Sequence, residues 1–132
     1  MLKRNRWFVT LSRVYGLIGG LIGLVWLAWP GSLPGNVPRL HGHLMLLGFV
    51  TFMIYGLGEH LLPRFTGNPI RLGGWSWAQQ AIAHAGVVGY GLGAVLGIEP
   101  LALLGAALAW LALALFAARL LPILWPTLPP GG

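Results

Sequence analysis

The chain reads as an all-α integral membrane protein: a four-helix bundle with both termini on the cytoplasmic side. Three observations predict this. Of its 132 residues, 57% are hydrophobic and only 8% charged, whereas a soluble domain carries about 25% charged residues. Four apolar stretches stand out, from about Trp7 to Trp29, Leu40 to Leu62, Trp75 to Ile98 and Leu101 to Leu121. Each is close to the roughly 20 residues that a spanning helix needs. The basic residues are also distributed unevenly. If the spans alternate in direction, Lys3, Arg4, Arg6, Arg13, Arg64, Arg71 and Arg119 share one side, and Arg39 lies on the other with Glu99. Basic residues collect on the cytoplasmic side, which orients the bundle and points to the cell inner membrane.

The first span carries Gly16, Gly19, Gly20 and Gly23, a stripe of small residues that lets another helix approach closely. It is too long for the apolar core of a cleaved signal peptide, and no small-residue cleavage site follows it. A turn-rich segment, Pro30 to Pro38, separates it from the second span. Pro63 to Pro69 closes the second span, and Glu99-Pro100 makes a short break before the fourth. The third span has its own stripe, Gly86, Gly89, Gly93 and Gly97. Both stripes suit packing within one subunit better than contacts between copies. Residues 122–132, rich in Pro and Gly, read as an irregular tail. Trp7, Trp26, Trp29, Trp75, Trp77 and Trp125 fall near span ends as an interfacial belt, whereas Trp110 faces either lipid or a cofactor. Residues 1–132 are thus a single transmembrane domain with lipid as its main partner.

Composition also excludes several chemistries. Without cysteine there are no disulfides, thiolate metal sites, iron–sulfur clusters or covalently attached c-type haem. The formal net charge of +6 resembles a nucleic-acid signal, but the positive-inside pattern explains it and no nucleic-acid partner is expected.

The histidines carry the chemistry. Ionisable groups at membrane depth mark function by default, and imidazole is the commonest side-chain metal ligand. His41 and His43 open the second span. Two residues apart on an α-helix is a turn of about 200°, so the pair points to opposite flanks and does not grip one ion together. His84 lies deeper, its height differing from that of His43 by roughly 15 Å, so one small ion does not bridge them within a subunit. For His84 an intramembrane hydrogen bond, supported by Gln79 or Gln80, competes with a ligand role. His60, beside Glu59 at the inner end of its span, suits a snorkelling or structural role, as do Arg13 and Arg119. Arg39, the lone outer cation, is either an interfacial anchor or a partner for an anionic group.

From His41 to Gly67 the sequence is HGHLMLLGFVTFMIYGLGEHLLPRFTG. It resembles the His-x-His helix of subunit I in the haem–copper oxidase superfamily, with related patterns in nitric oxide reductase large subunits and NnrS-like haem proteins. The matching positions are His41, His43, Gly56, His60, Pro63 and Gly67. In that family the first histidine of the pair serves one haem and the second another. The family subunit repeats groups of four helices, and this chain resembles one such group, about a third of it. Copper-site histidines have no counterpart here, so the resemblance does not extend to dioxygen reduction and enzymatic activity is not expected.

The resemblance and the helix geometry together imply a homo-oligomer, with a trimer rebuilding the larger architecture. Haem b (protohaem IX) would sit at each subunit interface, ligated by His41 of one copy and His43 of the next. Arg39 would face a propionate, and Met45, Phe49 and Phe52 would line the ring, although the last three also suit ordinary helix packing. Such a bis-His haem serves electron transfer or a redox- or gas-responsive role, with a redox protein or a quinone as partner. Two rival readings are a five-coordinate haem that binds nitric oxide, carbon monoxide or oxygen, and a haem-free structural or assembly partner of a respiratory complex. A bare copper or zinc site at the outer histidines is weaker still.

Overall fold

A computed structural model describes residues 2–70 and 73–124. Four long helices follow one another: α1 (Lys3–Ala28), α2 (Val37–Thr66), α3 (Trp75–Leu96) and α4 (Glu99–Leu124). The element count matches the four apolar stretches. By length and apolarity α1, α2 and α4 can cross a bilayer. At 22 residues, α3 reaches about 33 Å, but Gln79, Gln80 and His84 in its first half lower its apolarity.

The helix ends follow from local chemistry. The Asn36 side chain accepts a hydrogen bond from the Arg39 backbone N–H at 3.1 Å, and Pro38 sits in the first turn of α2, where its missing N–H costs nothing. Gly67 and Gly97 adopt positive φ, 72° and 71°, and end α2 and α3 in the left-handed cap that glycine takes most readily. α4 does not stop before Pro122 as expected. It runs through Pro122 to Leu124, the end of the described residues; the missing proline N–H removes one i→i−4 hydrogen bond. Trp125, Arg71 and most of the tail expected over 122–132 lie outside the described residues.

One departure from regular helix matters more. Leu44–Thr51 in the middle of α2 is wound as a π-helix, between α-helical Val37–His43 and Phe52–Thr66. The Thr51 hydroxyl donates to the Leu46 carbonyl at 2.8 Å, and Ser12 Oγ of α1 donates to the Phe49 carbonyl at 2.9 Å. Wide turns leave carbonyls in need of such donors, and they recur at functional sites.

Successive helices run antiparallel, as the cross-helix pairs show. Gly23 meets His41 and Gly16 meets Phe49, while the other end of α1, at Asn5 and Phe8, meets Gly56. His43 stacks on Tyr90, and Glu59 bonds Ser76. The start of α1, the end of α2, the start of α3 and the end of α4 therefore share one end of the bundle. Lys3, Arg4, Arg6 and Arg64 gather there, and Arg39 and Glu99 lie at the opposite end.

The core between α1, α2 and α4 is aromatic. Phe8 meets Phe52 and Tyr55 edge-to-face at 5.7 and 5.4 Å, and Tyr55 packs on Phe116 at 4.7 Å. The outward faces carry exposed leucines and Trp110, which points away from the bundle. That is the surface expected of a protein dissolved in lipid.

α3 and α4 approach backbone to backbone. A Cβ at Gly86 would lie 2.6 Å from the Ala109 nitrogen; one at Gly93 would collide with the Ala102 nitrogen, and one at Gly105 with the Tyr90 nitrogen. Gly86, Gly89 and Gly93 of the α3 stripe thus pack within the subunit, whereas Gly97 serves as the helix cap. Gly105→Val is expected to lower stability by about 1–3 kcal/mol, the usual range for overpacking. Thermal unfolding in detergent checks this, with Gly20→Ala, where a Cβ meets open space, expected to be neutral.

Candidate functional site

His41 and His43 lie in the regular α-helical start of α2, before the π turn, so their opposed directions survive it. His41 turns toward α1. Its Nδ1 lies 2.8 Å from the Gly19 carbonyl oxygen, and the ring occupies space that Gly23 leaves open. His43 turns toward α3. Its Nδ1 lies 3.0 Å from the Arg39 carbonyl one turn back, and its ring stacks on Tyr90, with centroids 3.7 Å apart and planes 12° from parallel.

These contacts settle the proton positions. A carbonyl oxygen only accepts, so Nδ1 must be the donor in both rings. The neutral imidazole then presents its lone pair at Nε2, which no described residue engages. A main-chain carbonyl holding Nδ1–H is the arrangement that orients a histidine for ligation through its other nitrogen. Both residues are half-buried.

Tyr90 is the site residue that sequence reading missed. It is buried against His43, and its hydroxyl accepts a hydrogen bond from Arg39 Nε. The Arg39 guanidinium also lies 5.1 Å from the Tyr90 ring centroid and 3.5 Å from Glu99. Arg39 therefore ties α2 to α3 and α4. Five N–H donors leave it able to serve a further anionic group. The only sequence signal for Tyr90 was a phenol within an apolar span.

The expected ring-lining residues divide. Met45 packs against Gly19 and Phe49 against Gly16, both half-buried on the α1 side of α2, the side that His41 occupies. Phe52 does not join them. It is 1% exposed and sits edge-to-face with Phe8 and Tyr15 in the core. Regular α spacing would align positions 45, 49 and 52 on one face; the π winding turns Phe52 inward.

The remaining expectations change more. His84 is exposed on α3 and makes the expected bond to a neighbouring helix, its Nδ1 pairing with the Tyr15 hydroxyl of α1, without support from Gln79 or Gln80. His60 accepts a hydrogen bond at Nε2 from Arg64, at 2.9 Å. Arg13 is exposed, as a snorkelling side chain would be, but Arg119 is not. Arg119 is 1% exposed and donates to Glu59 Oε1 at 2.6 Å and to Gln79 Oε1 at 2.5 Å. Ser76 donates to the same carboxylate. Glu59 is thus the anion of a buried polar knot joining α2, α3 and α4. Among the described residues no group of three or more His, Asp or Glu side chains is placed to hold a metal ion.

No family model, curated protein or solved structure matches the chain.

Glycine at position 23 is a local requirement of the site. A methyl group there would lie 2.7 Å from His41 Nδ1 and Cε1. Gly23→Ala is expected to push the ring off the Gly19 carbonyl. Nitrogen NMR of labelled histidine side chains checks this: the His41 signals should shift and those of His43 should not.

Proposed function

We propose that the protein binds b-type haem in the cell inner membrane, between copies of itself, and serves electron transfer. His41 of one copy and His43 of the next would supply the axial Nε2 atoms, in a homo-oligomer for which a trimer is the simplest closed form. Arg39 would hold a propionate with the donors that Tyr90 and Glu99 leave free. Met45 and Phe49 would form apolar wall beside His41. Both termini would lie on the cytoplasmic side, which puts the histidine pair near the outer surface.

One observation carries this reading: both outer imidazoles are anchored through Nδ1 on main-chain carbonyls, on opposite flanks, with Nε2 left for a ligand. The donor set suits a porphyrin better than a bare ion. Haem brings four nitrogens of its own and asks the protein for one or two more, whereas zinc or copper needs three or four side chains. The His41–Gly67 resemblance supports the same cofactor.

Bound with two imidazoles, the group supplies reversible one-electron transfer without an open position for oxygen. The chain's part is to orient the ligands, exclude water and place a cation. Its Nδ1–H bonds fix the tautomer and orientation of both rings. The stacked Tyr90 ring prevents His43 from rotating.

The test is an absorption spectrum of detergent-purified protein, oxidised and reduced, after expression with adequate haem supply. Sharp reduced α and β bands that carbon monoxide does not shift are expected, with no more than one haem per chain. A colourless protein overturns the proposal. A five-coordinate spectrum that shifts with carbon monoxide replaces bis-His ligation with a gas-binding site.

A further inference from the structure

At the basic end of the bundle a polar cleft opens between the start of α1 and the end of α2. It has a volume of about 430 Å³ and is lined by Arg4, Asn5, Glu59, His60 and Arg64 together with apolar side chains, two prolines among them. That size falls among small-ligand pockets. None of these residues takes part in the outer histidine site, which lies at the other end of the molecule.

The cleft is rich in donors. Arg64 donates to His60 Nε2, so in the neutral His60 ring the proton resides on Nδ1, which becomes a further donor. Arg4 Nε faces Glu59 Oε2 at 3.5 Å without forming a hydrogen bond, which leaves its terminal guanidinium nitrogens as the donors on this side. Glu59 does not make the cleft anionic, since Arg119 and Ser76 already hold its carboxylate. Arg4 and Arg64 are thus positive charges in surplus.

Asn5 points to a ligand independently of charge. It is 1% exposed, and neither its amide nitrogen nor its amide oxygen has a partner among the described residues. A buried amide with both ends unpaired is costly, and a native site normally satisfies it. An occupant that reached this amide would accept from Nδ2 and donate to Oδ1, beside two guanidinium groups. A phosphate ester with a hydroxyl or a protonated oxygen meets both requirements, and arginine suits phosphate through its planar fork.

We propose that this cleft binds a phosphate group, from either an anionic phospholipid headgroup or a soluble phosphate. A basic pocket between membrane helices on the cytoplasmic side is a recognised setting for such a headgroup. The site stands independently of the haem reading.

Full-length protein in detergent, titrated with phosphatidylglycerol, phosphatidylcholine or inorganic phosphate and read by native mass spectrometry, tests it. In a micelle no bilayer surface potential attracts basic segments in general. Saturable binding of phosphatidylglycerol in preference to phosphatidylcholine is expected if the source is lipid, and of inorganic phosphate if it is soluble. Arg4→Gln with Arg64→Gln should weaken that binding at least tenfold. Lys3→Gln with Arg6→Gln, an equal charge change at residues that line a different surface hollow, should leave it within twofold. Because Arg4 also neighbours Glu59, Arg64→Gln alone provides the second arm. Arg64 is exposed and outside the buried knot, and its loss should weaken binding several-fold in a folded protein. Equal weakening by the Lys3 and Arg6 pair, or no saturable binding of either phosphate source, overturns the proposal.

Discussion

His43→Ala is expected to purify without the sharp reduced α and β bands, and His41→Ala likewise. Each interface would draw one ligand from each of two copies. Under the proposed arrangement either substitution would remove one axial nitrogen from every haem at once, and no interface would escape by symmetry. The two variants should still fold, since neither ring belongs to the aromatic core. Their differences are also informative. His43→Ala exposes the face of Tyr90 and frees Arg39 only indirectly, whereas His41→Ala leaves a gap over Gly23 in α1. His84→Ala should leave the spectrum unchanged, because its Nδ1 pairs with Tyr15 on a different surface. Added imidazole should restore low-spin bands in either outer variant by filling the vacated position. Retained bands in both outer variants would sink the assignment, and loss in His84→Ala alone would move the site to α3.

Removing one partner of the Glu59–Arg119 pair should produce the largest change in stability. Both side chains are at most 1% exposed, and their oxygen and nitrogen lie 2.6 Å apart. Truncating one member of such a pair strands the other as a buried charge, a loss of about 3–5 kcal/mol. Arg119→Leu is the more severe case, because Glu59 then retains only Ser76 and the more distant Arg4. The paired replacement Glu59→Leu with Arg119→Leu should cost much less than the sum of the single changes, since it leaves no orphaned charge. Equilibrium unfolding in mixed micelles reads all three. Single changes below about 1 kcal/mol, the range of exposed ion pairs, would show that the knot is hydrated and loosely held.

This pair also marks where sequence reading reaches its limit. A lone arginine near a span end looks the same in sequence whether it snorkels outward or turns inward. The partner that decides the matter is Glu59, 60 positions away on another helix. The visible signal was weak but present: one acid, one base and two glutamines inside apolar spans are each costly in lipid unless they meet. Phe52 illustrates a second limit. Regular α winding would place it beside Met45 and Phe49, and no residue between Leu44 and Thr51 announces a π turn.

The sequence alone determined the lipid-soluble class, the four helices with most of their breaks, the close-packing glycine stripes and the contrary directions of His41 and His43. All of these follow from composition or from spacing within one helix, and local geometry suffices for them. Tertiary structure decided which atoms each side chain meets. The Gly19 carbonyl sets the His41 tautomer, Tyr90 steadies His43, the π turn withdraws Phe52, and Glu59 draws Arg119 inside. Those outcomes depend on contacts between distant segments, where the penalty for an unpaired polar group in an apolar interior selects the partner.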